Sequence, residues 1–280
     1  MRFKTIAIVG LGLMGGSLAA ICRRKFPSSR ILGISRNPKA LAFALKQKWI
    51  HTGTRRLSLG VQNADLIVLC TPVDTFLKML SQCDQFAPPG TLVTDVGSVK
   101  KEILDKAERF RWKRIQFVGA HPMVGSHDRG IEAANPFLYD SGFTFIIRTR
   151  KTTSQSYEGV KNFWKKITPR VVEISAQGHD TMVSEISHLP HAAAVCLVLS
   201  VSKESLRYAA SGFRDVTRIA QGHPSVWLPI LRANQAAIAR ALANFERNIR
   251  KLRRALKSRR DFELQQMLAA ARKKRRQMEL

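Results

Sequence analysis

The chain of 280 residues is 45% hydrophobic, a composition that excludes a disordered or fibrous protein and has room for one large domain or two ordinary ones. The formal net charge is +27, to which residues 247–280 contribute thirteen Lys or Arg against three Asp or Glu. The four cysteines show no metal-ligand or CxxC spacing, so we predict reduced packing residues and no metal site.

The positive charge and the apolar segments bear on partners and location. A basic surface attracts nucleic acid or an anionic substrate, but the sequence shows no zinc finger, recognition helix or aromatic-interleaved basic strip, so nucleic acid is not expected. The N-terminus resembles a secretory signal, but three glycines interrupt its apolar run with the spacing GxGxxG, which is described below. The longest later apolar run, residues 192–201, is too short to cross a bilayer. We therefore predict a cytoplasmic protein with no membrane partner.

Short apolar strands alternate with helical patterns over the first half of the chain. Strands are predicted at TIAIVG, RILGIS, ADLIVLC, GTLVTDV, IQFVGAH and FTFIIRT, with a seventh candidate at PRVVEIS. Helices are predicted at GSLAAICRRKF, PKALAFALKQK and YEGVKNFWKKI. This alternation predicts an α/β fold with a parallel sheet that is covered on both faces.

The pattern changes near Gln177. From His179 onward the chain has helical period only, and it begins with one long predicted helix over residues 179–210 that bends near Pro190. We predict a dinucleotide-binding domain at residues 1–176 and a helical domain at residues 177–280. Long amphipathic helices often bury their apolar stripe against a second copy of the chain, so the helical domain is expected to form a homodimer.

A GxGxxG pattern in GLGLMGGS follows the first strand and opens the first helix. The first glycine permits a tight turn, the second allows close approach of a pyrophosphate, and the third lets helix and strand pack closely. The helix N-terminus offers N–H groups to the phosphates. The sequence therefore predicts a Rossmann-type domain whose cofactor loop contains Gly10, Gly12, Leu13, Met14 and Gly15.

The end of the second strand bears on the choice of cofactor. NAD-binding folds place an acidic residue there for the ribose 2′-hydroxyl, whereas this chain has Ser35 and Arg36. A hydroxyl and a guanidinium suit a 2′-phosphate, which favours NADP over NAD, unless Arg36 only stacks on the adenine. After the third predicted strand, Thr71, Pro72 and Val73 are predicted either to contact the cofactor or to form a plain turn.

Six short motifs follow one another along nearly the whole chain. They are GLGLMGGSL, TPV, D-x-GSVK, HPM-x-G, SHLPH and GF-x-D-x-TRIA. Together they resemble the prephenate/arogenate dehydrogenase family of tyrosine biosynthesis. The resemblance implies a Rossmann domain followed by a helical dimerisation domain, in agreement with the division inferred above. It also implies an NAD(P)-dependent reaction in which ring C4 of a cyclohexadienyl substrate loses a hydride and the ring carboxylate leaves as CO2.

The resemblance also implies the residues of the site. His121 matches the family's base for the C4 hydroxyl, a role that suits histidine because its ordinary pKa lies near neutrality. Ser98 matches the serine that orients this hydroxyl, and Arg218 matches the arginine that pairs with a substrate carboxylate. His188 and His191 match the histidines that line the substrate pocket, with a purely structural pair as the alternative.

Two positions depart from the family pattern. His127 stands where the family commonly has an acidic residue that pairs with the substrate arginine. We expect His127 to contact Arg218 or substrate more weakly, or Asp128 to take over this role. Arg214 stands where the family often has lysine and adds positive charge to the pocket. Asp215 is interpreted as a structural partner of Arg214 or Arg218.

The predicted function is prephenate dehydrogenase, which gives 4-hydroxyphenylpyruvate; arogenate dehydrogenase, which gives tyrosine directly, is the alternative. The cationic site favours prephenate, although keto and amino side chains are not distinguished by these motifs. Related hydroxyacid dehydrogenases share GLGxMG but use a lysine in GxxGxGxxxKxxxN, which is absent here. A non-catalytic NADP-binding or RNA-associated protein is disfavoured by the intact Ser98, His121 and Arg218. The interpretation requires His121 and Arg218 to flank one cleft beside the nicotinamide.

Overall fold

In the computed structural model, which describes residues 2–125 and 128–278, the chain forms two compact units, Met1–Asn234 and Gln235–Leu280. The first unit contains a six-stranded sheet in the order β3-β2-β1-β4-β5-β6, and all its neighbouring strands are parallel. The strands are β1 (Thr5–Val9), β2 (Arg30–Ile34), β3 (Thr52–Thr54), β4 (Leu66–Leu69), β5 (Thr91–Asp95) and β6 (Ile115–Phe117). The predicted α/β fold class is confirmed.

The central strands of this sheet are apolar along their length because helices cover both faces. β4 reads LIVL, and all four of its residues are buried. The connecting helices are α1 (Leu13–Lys25), α2 (Pro38–Lys46), α3 (Leu57–Val61), α4 (Phe76–Phe86), α5 (Lys101–Ala107) and α6 (Ser154–Ile167). The strand order reverses between β1 and β4, and the ligand crevice of such a sheet lies at the carboxyl ends of the strands near this reversal.

The predicted fifth strand, IQFVGAH, is two strands in two sheets. β6 ends at Phe117, and β7 (Gly119–Pro122) pairs antiparallel with β8 (Phe143–Ile147), which in turn pairs parallel with β9 (Arg170–Glu173). The single parallel sheet predicted from sequence is therefore wrong here. The physical reason is a side chain, since the N–H of Ala120 donates to the carboxylate of Asp95 at 3.0 Å rather than to a strand carbonyl. Strand β3, which reads TGT, was also not predicted.

The helical part of the first unit starts with three continuous segments. They are α7 (Ala176–Val183), a π-helical turn (Ser184–His188) and α8 (Leu189–Leu199). The wide turn ends two residues before Pro190, which has no N–H to donate, so the irregularity lies where the bend was predicted. The helix predicted over residues 179–210 ends at Leu199, and Ser202 then caps the next helix by accepting from the N–H of Ser205.

The remaining helices complete both units. In the first unit they are α9 (Lys203–Leu206), α10 (Ser211–Thr217), a 3₁₀ turn (Arg218–Gln221) and α11 (Pro224–Ala233), and in the second unit α12 (Gln235–Lys257) and α13 (Asp261–Arg276). Along α12, Phe245, Ile249, Leu252 and Leu256 are exposed at helical spacing. The division at Asn234 differs from the domain boundary predicted near residue 176, which stays a prediction.

The stretch Ala176–Leu199 is 24 residues long and apolar enough to cross a membrane by length and composition. The core helices of soluble proteins pass the same test. The stretch is longer than the apolar run recognised in the sequence because α7 and the π-helical turn extend it. Four of its polar side chains, those of His179, Asp180, His188 and His191, are buried.

Candidate active site

The turn from β1 to α1 is built on three glycines. Gly10 has φ +97°, and a Cβ there would lie 2.7 Å from the carbonyl oxygen of Cys70, whereas a Cβ on Gly15 would lie 1.8 Å from the carbonyl oxygen of Gly10. A Cβ on Gly12 would meet no atom of the described residues within 4 Å, so its backbone faces open space. Gly12 is also the N-cap of α1 and has no side chain to accept from the first N–H groups. The loop therefore fits a diphosphate.

Leu13 and Met14 open α1 directly behind this loop, and both side chains are half-buried. Thr71, Pro72 and Val73 follow β4, the neighbour of β1. The methyl carbon of Thr71 would lie 3.1 Å from a Cβ on Gly10. The structure thus brings the turn after β4 beside the glycine loop, as expected at the carboxyl ends of adjacent parallel strands.

Ser35 and Arg36 follow β2, and the structure brings an additional arginine to them. The N–H of Ser35 donates to the carbonyl of Thr54 in β3 at 3.1 Å, and Nε of Arg55 donates to the carbonyl of Arg36 at 3.3 Å. The side chains of Arg36 and Arg55 are exposed. Arg55 was not singled out from the sequence, because its position follows only from the pairing of β3 with β2.

His121 lies in β7 and is only 7% exposed. Its Nδ1 is 2.9 Å from Nε2 of His179 in α7, and Nδ1 of His179 is 2.6 Å from Oδ1 of Asp180. Burial lowers the pKa of His121 well below its ordinary value. The other groups that lower it are His179, Lys100 and His188. The imidazole is therefore neutral at neutral pH, the form that a general base requires.

A buried ion pair connects the loop after β5 to β7. Nζ of Lys100 is 2.6 Å from Oδ2 of Asp95, and both side chains are 1% exposed. Lys100 also donates to the carbonyl of Gly97, and Asp95 accepts from the N–H groups of Gly97 and Ala120. Ser98, half-buried, lies within this tied loop. The pair thus holds the loop of the predicted serine against the strand of the predicted base.

The neighbours of His188 determine which of its ring nitrogens carries the proton. Nδ2 of Asn234 donates to the carbonyl of Asp180 at 2.7 Å and lies 3.2 Å from Nδ1 of His188, so this nitrogen accepts and Nε2 carries the proton. Burial lowers the pKa of His188 to about 4, which keeps the ring neutral. Among the described residues Nε2 has no partner, although it is buried. A buried donor in this state is available to an acceptor oxygen of a ligand.

His191 stacks on Trp227, with ring centroids 3.5 Å apart and planes at 7°. It hydrogen-bonds to the backbone of Ile219, and its buried Nδ1 has no partner within the described part of the chain. Trp227 also meets His188 edge-on at 6.2 Å. Trp227 was not predicted as a site residue; it is the residue that packs the two histidines of the SHLPH motif.

The basic residues of the predicted pocket lie on exposed surface. Arg218 begins the 3₁₀ turn, which packs against α8, and Arg214 and Asp215 are exposed in α10. This places Arg218 one residue from Ile219, the backbone partner of a buried histidine. The predicted cleft between His121 and Arg218 stays a prediction. His127 lies outside the described residues, so its predicted role stays a prediction as well.

Four buried polar residues of the site were not predicted to have a role in it. They are Asp95, Lys100, His179 and Asp180. Two of them are the first and last residues of the DVGSVK motif, and the other two form the HD pair at the start of the helical pattern. Charged residues next to apolar segments were the available signal, but only the fold shows that the two pairs meet.

Comparison with known proteins agrees with this geometry. Residues 18–173 match the family model described as prephenate dehydrogenase, nucleotide-binding domain, and residues 175–270 match prephenate dehydrogenase, dimerization domain. The prephenate dehydrogenase of Bacillus subtilis (strain 168) is 39% identical over 259 residues, which are 89% of this chain and 69% of the relative. The cyclohexadienyl dehydrogenase of Zymomonas mobilis is 29% identical over 273 residues, 91% of this chain and 89% of the relative.

Solved structures show the same likeness. The prephenate dehydrogenase from A. aeolicus in complex with hydroxyphenyl propionate and NAD+ has a TM-score of 0.91 and 30% identity, with 99% of both chains covered. The Synechocystis arogenate dehydrogenase has a TM-score of 0.80 and 27% identity, with 97% of this chain and 98% of that chain covered. The chain is an oxidoreductase with a Rossmann domain and a helical dimerisation domain, and it belongs to the prephenate dehydrogenase family.

Proposed function

We propose that this chain catalyses the oxidative decarboxylation of prephenate to 4-hydroxyphenylpyruvate. The observation that carries the proposal is the state of His121, which is buried and neutral. Its Nδ1 is engaged by His179, so Nε2 is the ring nitrogen that accepts a proton. The family membership supports the same reaction.

The residues of the chain divide the chemistry between them. A nicotinamide cofactor held at the loop of Gly10, Gly12 and Gly15 would supply the acceptor for the hydride that leaves ring C4. His121 takes the proton of the C4 hydroxyl as the hydride leaves, and Ser98 orients that hydroxyl from the adjacent loop. His188 donates from Nε2 to a substrate oxygen, and Arg218 pairs with a substrate carboxylate. Departure of the ring carboxylate as CO2 leaves an aromatic product.

Three further residues complete the proposed substrate pocket. His191 offers its buried Nδ1 beside the Trp227 ring. Arg214 adds positive charge near the substrate carboxylates. His127 is proposed to contact Arg218 or substrate, in the place where the family commonly has an acidic residue.

We propose NADP as the preferred cofactor, with NAD as the alternative. Ser35, Arg36 and Arg55 present a hydroxyl and two guanidinium groups after β2 and β3, a set that suits a 2′-phosphate. The residue types after β2 include no carboxylate for a ribose 2′-hydroxyl. Two segments are proposed to hold the remainder of the dinucleotide. They are the loop of Gly10, Gly12, Leu13, Met14 and Gly15, and the turn of Thr71, Pro72 and Val73.

Arogenate is the second candidate substrate. The observation that favours it is the buried Nδ1 of His191, since its other ring nitrogen bonds the backbone at Ile219 and Nδ1 is left to accept from an amino group. The likeness to the Synechocystis arogenate dehydrogenase points to the same substrate.

One steady-state assay crosses prephenate and arogenate with NAD and NADP and follows the absorbance of the reduced nicotinamide. We expect the highest kcat/KM for prephenate with NADP. A higher value with arogenate would replace the proposed substrate, and no turnover of either substrate would refute the proposed function.

We also propose a homodimer in the cytoplasm, formed through the helical domain that is proposed to begin near residue 177. The exposed stripe of Phe245, Ile249, Leu252 and Leu256 supports this assembly because such a stripe is unfavourable in water. Light scattering coupled to size exclusion distinguishes a dimer from a monomer.

A further inference from the structure

Behind the proposed base runs a line of three hydrogen-bonded side chains. Nδ1 of His121 is 2.9 Å from Nε2 of His179, whose Nδ1 is 2.6 Å from Oδ1 of Asp180. The three residues are 7%, 0% and 2% exposed, respectively. Two of them stand 58 and 59 residues from His121 in the sequence, so the line exists only in the folded molecule.

The direction of each hydrogen bond follows from Asp180. Its carboxylate accepts from the N–H groups of Lys100 and Lys101, both at 2.9 Å, at the start of α5. Burial alone would raise the pKa of Asp180, but the bonds from His179 and these two amides lower it overall, so the group is ionised. An ionised carboxylate only accepts, and Nδ1 of His179 is therefore a donor. Nε2 of His179 then accepts, and Nδ1 of His121 donates to it.

The packing around His179 keeps this line in place. The His179 ring is fully buried and meets Phe145 edge-on, with centroids 5.4 Å apart and planes at 89°. Phe145 is the residue directly opposite His121 across the β7–β8 pair. Nδ2 of Asn234 donates to the backbone carbonyl of Asp180, the residue next to His179. The ring of His179 is therefore fixed by contacts on two elements.

We propose that His179 and Asp180 are positioning residues for the base: they hold His121 with its proton on Nδ1 and its lone pair on Nε2, and they stabilise the imidazolium that proton transfer creates. The inference rests on the proposed function, in which His121 accepts the proton of the C4 hydroxyl. The proton on Nδ1 stays on His121 throughout, and Asp180 acts through its negative charge. A carboxylate that orients a histidine base in serine proteases acts by the same physical means.

The other charged groups around His121 make Asp180 the carboxylate that balances the new charge. The groups that act on His121 are Lys100 from the β5–α5 loop, His179 from α7 and His188 from the π-helical turn. Asp95 from the same loop and Asp180 from α7 act on His179, the next ring of the line. Asp95 is engaged at 2.6 Å by Lys100. His188 is neutral. Among the residues that the structure describes, Asp180 is therefore the carboxylate hydrogen-bonded into the line that ends on His121.

The test compares Asp180→Asn with the wild-type enzyme. Asparagine has nearly the same shape as aspartate but no charge. Its amide can donate as well as accept, so Nδ1 of His179 is no longer fixed as a donor. We expect kcat to fall by about 10²-fold or more with little change in the KM of the cofactor. The acid limb of the kcat profile should move to lower pH, because loss of the anion makes His121 less basic.

A second pair of variants separates orientation from folding. His179→Gln keeps an oxygen that accepts from Nδ1 of His121, whereas His179→Leu removes the acceptor. We expect the glutamine variant to retain about tenfold more kcat than the leucine variant. If Asp180→Asn does not fold, this pair decides the question by itself.

Asp84→Asn is the matched control. Oδ1 of Asp84 accepts from the backbone N–H groups of Lys113, Arg114 and Ile115, the same kind of contact that Asp180 makes with α5. We expect this control to lower the melting temperature while leaving kcat and the pH profile unchanged.

A wild-type pH profile and kcat in Asp180→Asn, or equal kcat in the two His179 variants, would overturn the proposal. Failure of the proposed function has a different signature, because wild-type protein would then turn over neither substrate.

Discussion

Two histidines six residues apart illustrate what single residues contribute to this site. His121 and His127 occupy one glycine-rich segment. The sequence distinguishes them through the resemblance of HPM-x-G to a family motif and through the position of His121 at the end of a predicted strand. The structure adds a physical criterion for His121, since its side chain is buried, its ring is neutral and one of its nitrogens is engaged. The remaining nitrogen is the base in our proposal.

Replacement of this imidazole tests the role directly. For His121→Asn we expect kcat to fall by about 10²-fold to 10⁴-fold, because asparagine fits the volume but accepts no proton. Cofactor affinity, measured by fluorescence titration of the reduced nicotinamide, should change little. His223→Asn is the control, since His223 is exposed and asparagine preserves its N-cap role at α11. Unchanged turnover in His121→Asn would remove the residue from the mechanism.

Arg218→Ala tests the proposed carboxylate contact. We expect the substrate KM to rise by about tenfold or more, because a hydrogen bond between charged groups is lost, while kcat changes less. Arg218→Lys should restore only part of the affinity, since lysine lacks the planar fork. Steady-state kinetics with prephenate measure both constants. An unaltered KM would show that Arg218 does not bind substrate.

At the scale of elements, the carboxyl ends of β2 and β3 form the proposed cofactor discriminator. For the double variant Arg36→Ala/Arg55→Ala we expect the KM of NADP to rise by about tenfold or more and that of NAD to change little. Arg30→Ala is the control, because Arg30 is exposed at the opposite end of β2. Equal effects on both cofactors would contradict a 2′-phosphate contact.

The elements that could be predicted from sequence are those with local causes. Apolar runs identified β1, β2, β4 and β5, and glycine spacing identified the loop after β1. Strand β3 has no apolar run, and the split between β6 and β7 depends on Asp95, 25 residues away from the N–H of Ala120. Neither the strand β3 nor the split between β6 and β7 can be predicted from a short segment of sequence.

The same distinction applies to the candidate site. Ser98, His121, His188 and His191 were predicted because they stand in short motifs that resemble a family. His179 and Asp180 stand in none of those motifs, and their relation to His121 depends on how α7 packs against β7 and β8. Arg55 likewise becomes relevant only through the pairing of β3 with β2.

At the scale of the whole molecule, the buried histidines link stability to pH. Burial lowers the pKa of His121, His179, His188 and His191. As pH falls below the ordinary value of 6.5, the unfolded chain binds protons that the folded chain excludes. Their contribution to stability is therefore complete above this value and declines below it, for His188 down to about pH 4.

Urea unfolding at pH 7.5, 6.5 and 5.5, followed by circular dichroism at one protein concentration, measures this effect. We expect the free energy of unfolding to fall by about 1 kcal/mol per pH unit for each excluded proton toward the acid end. The range lies above the ordinary pKa of carboxylates, so these groups contribute little. His188→Gln should flatten the dependence. A flat profile in the wild type would contradict protonation-sensitive folding.

The ion pair between Asp95 and Lys100 constrains how the sequence can change. Loss of either partner alone leaves an unpaired charge in the protein interior. Such a loss lowers the free energy of unfolding by about 3–5 kcal/mol, a large share of the stability of a typical domain. An apolar replacement of both together removes the charges but leaves the N–H groups of Gly97 and Ala120 without their acceptor. A mutational path that proceeds one substitution at a time must include a variant with an unpaired buried charge. We therefore expect the two residues of this pair to be inherited together.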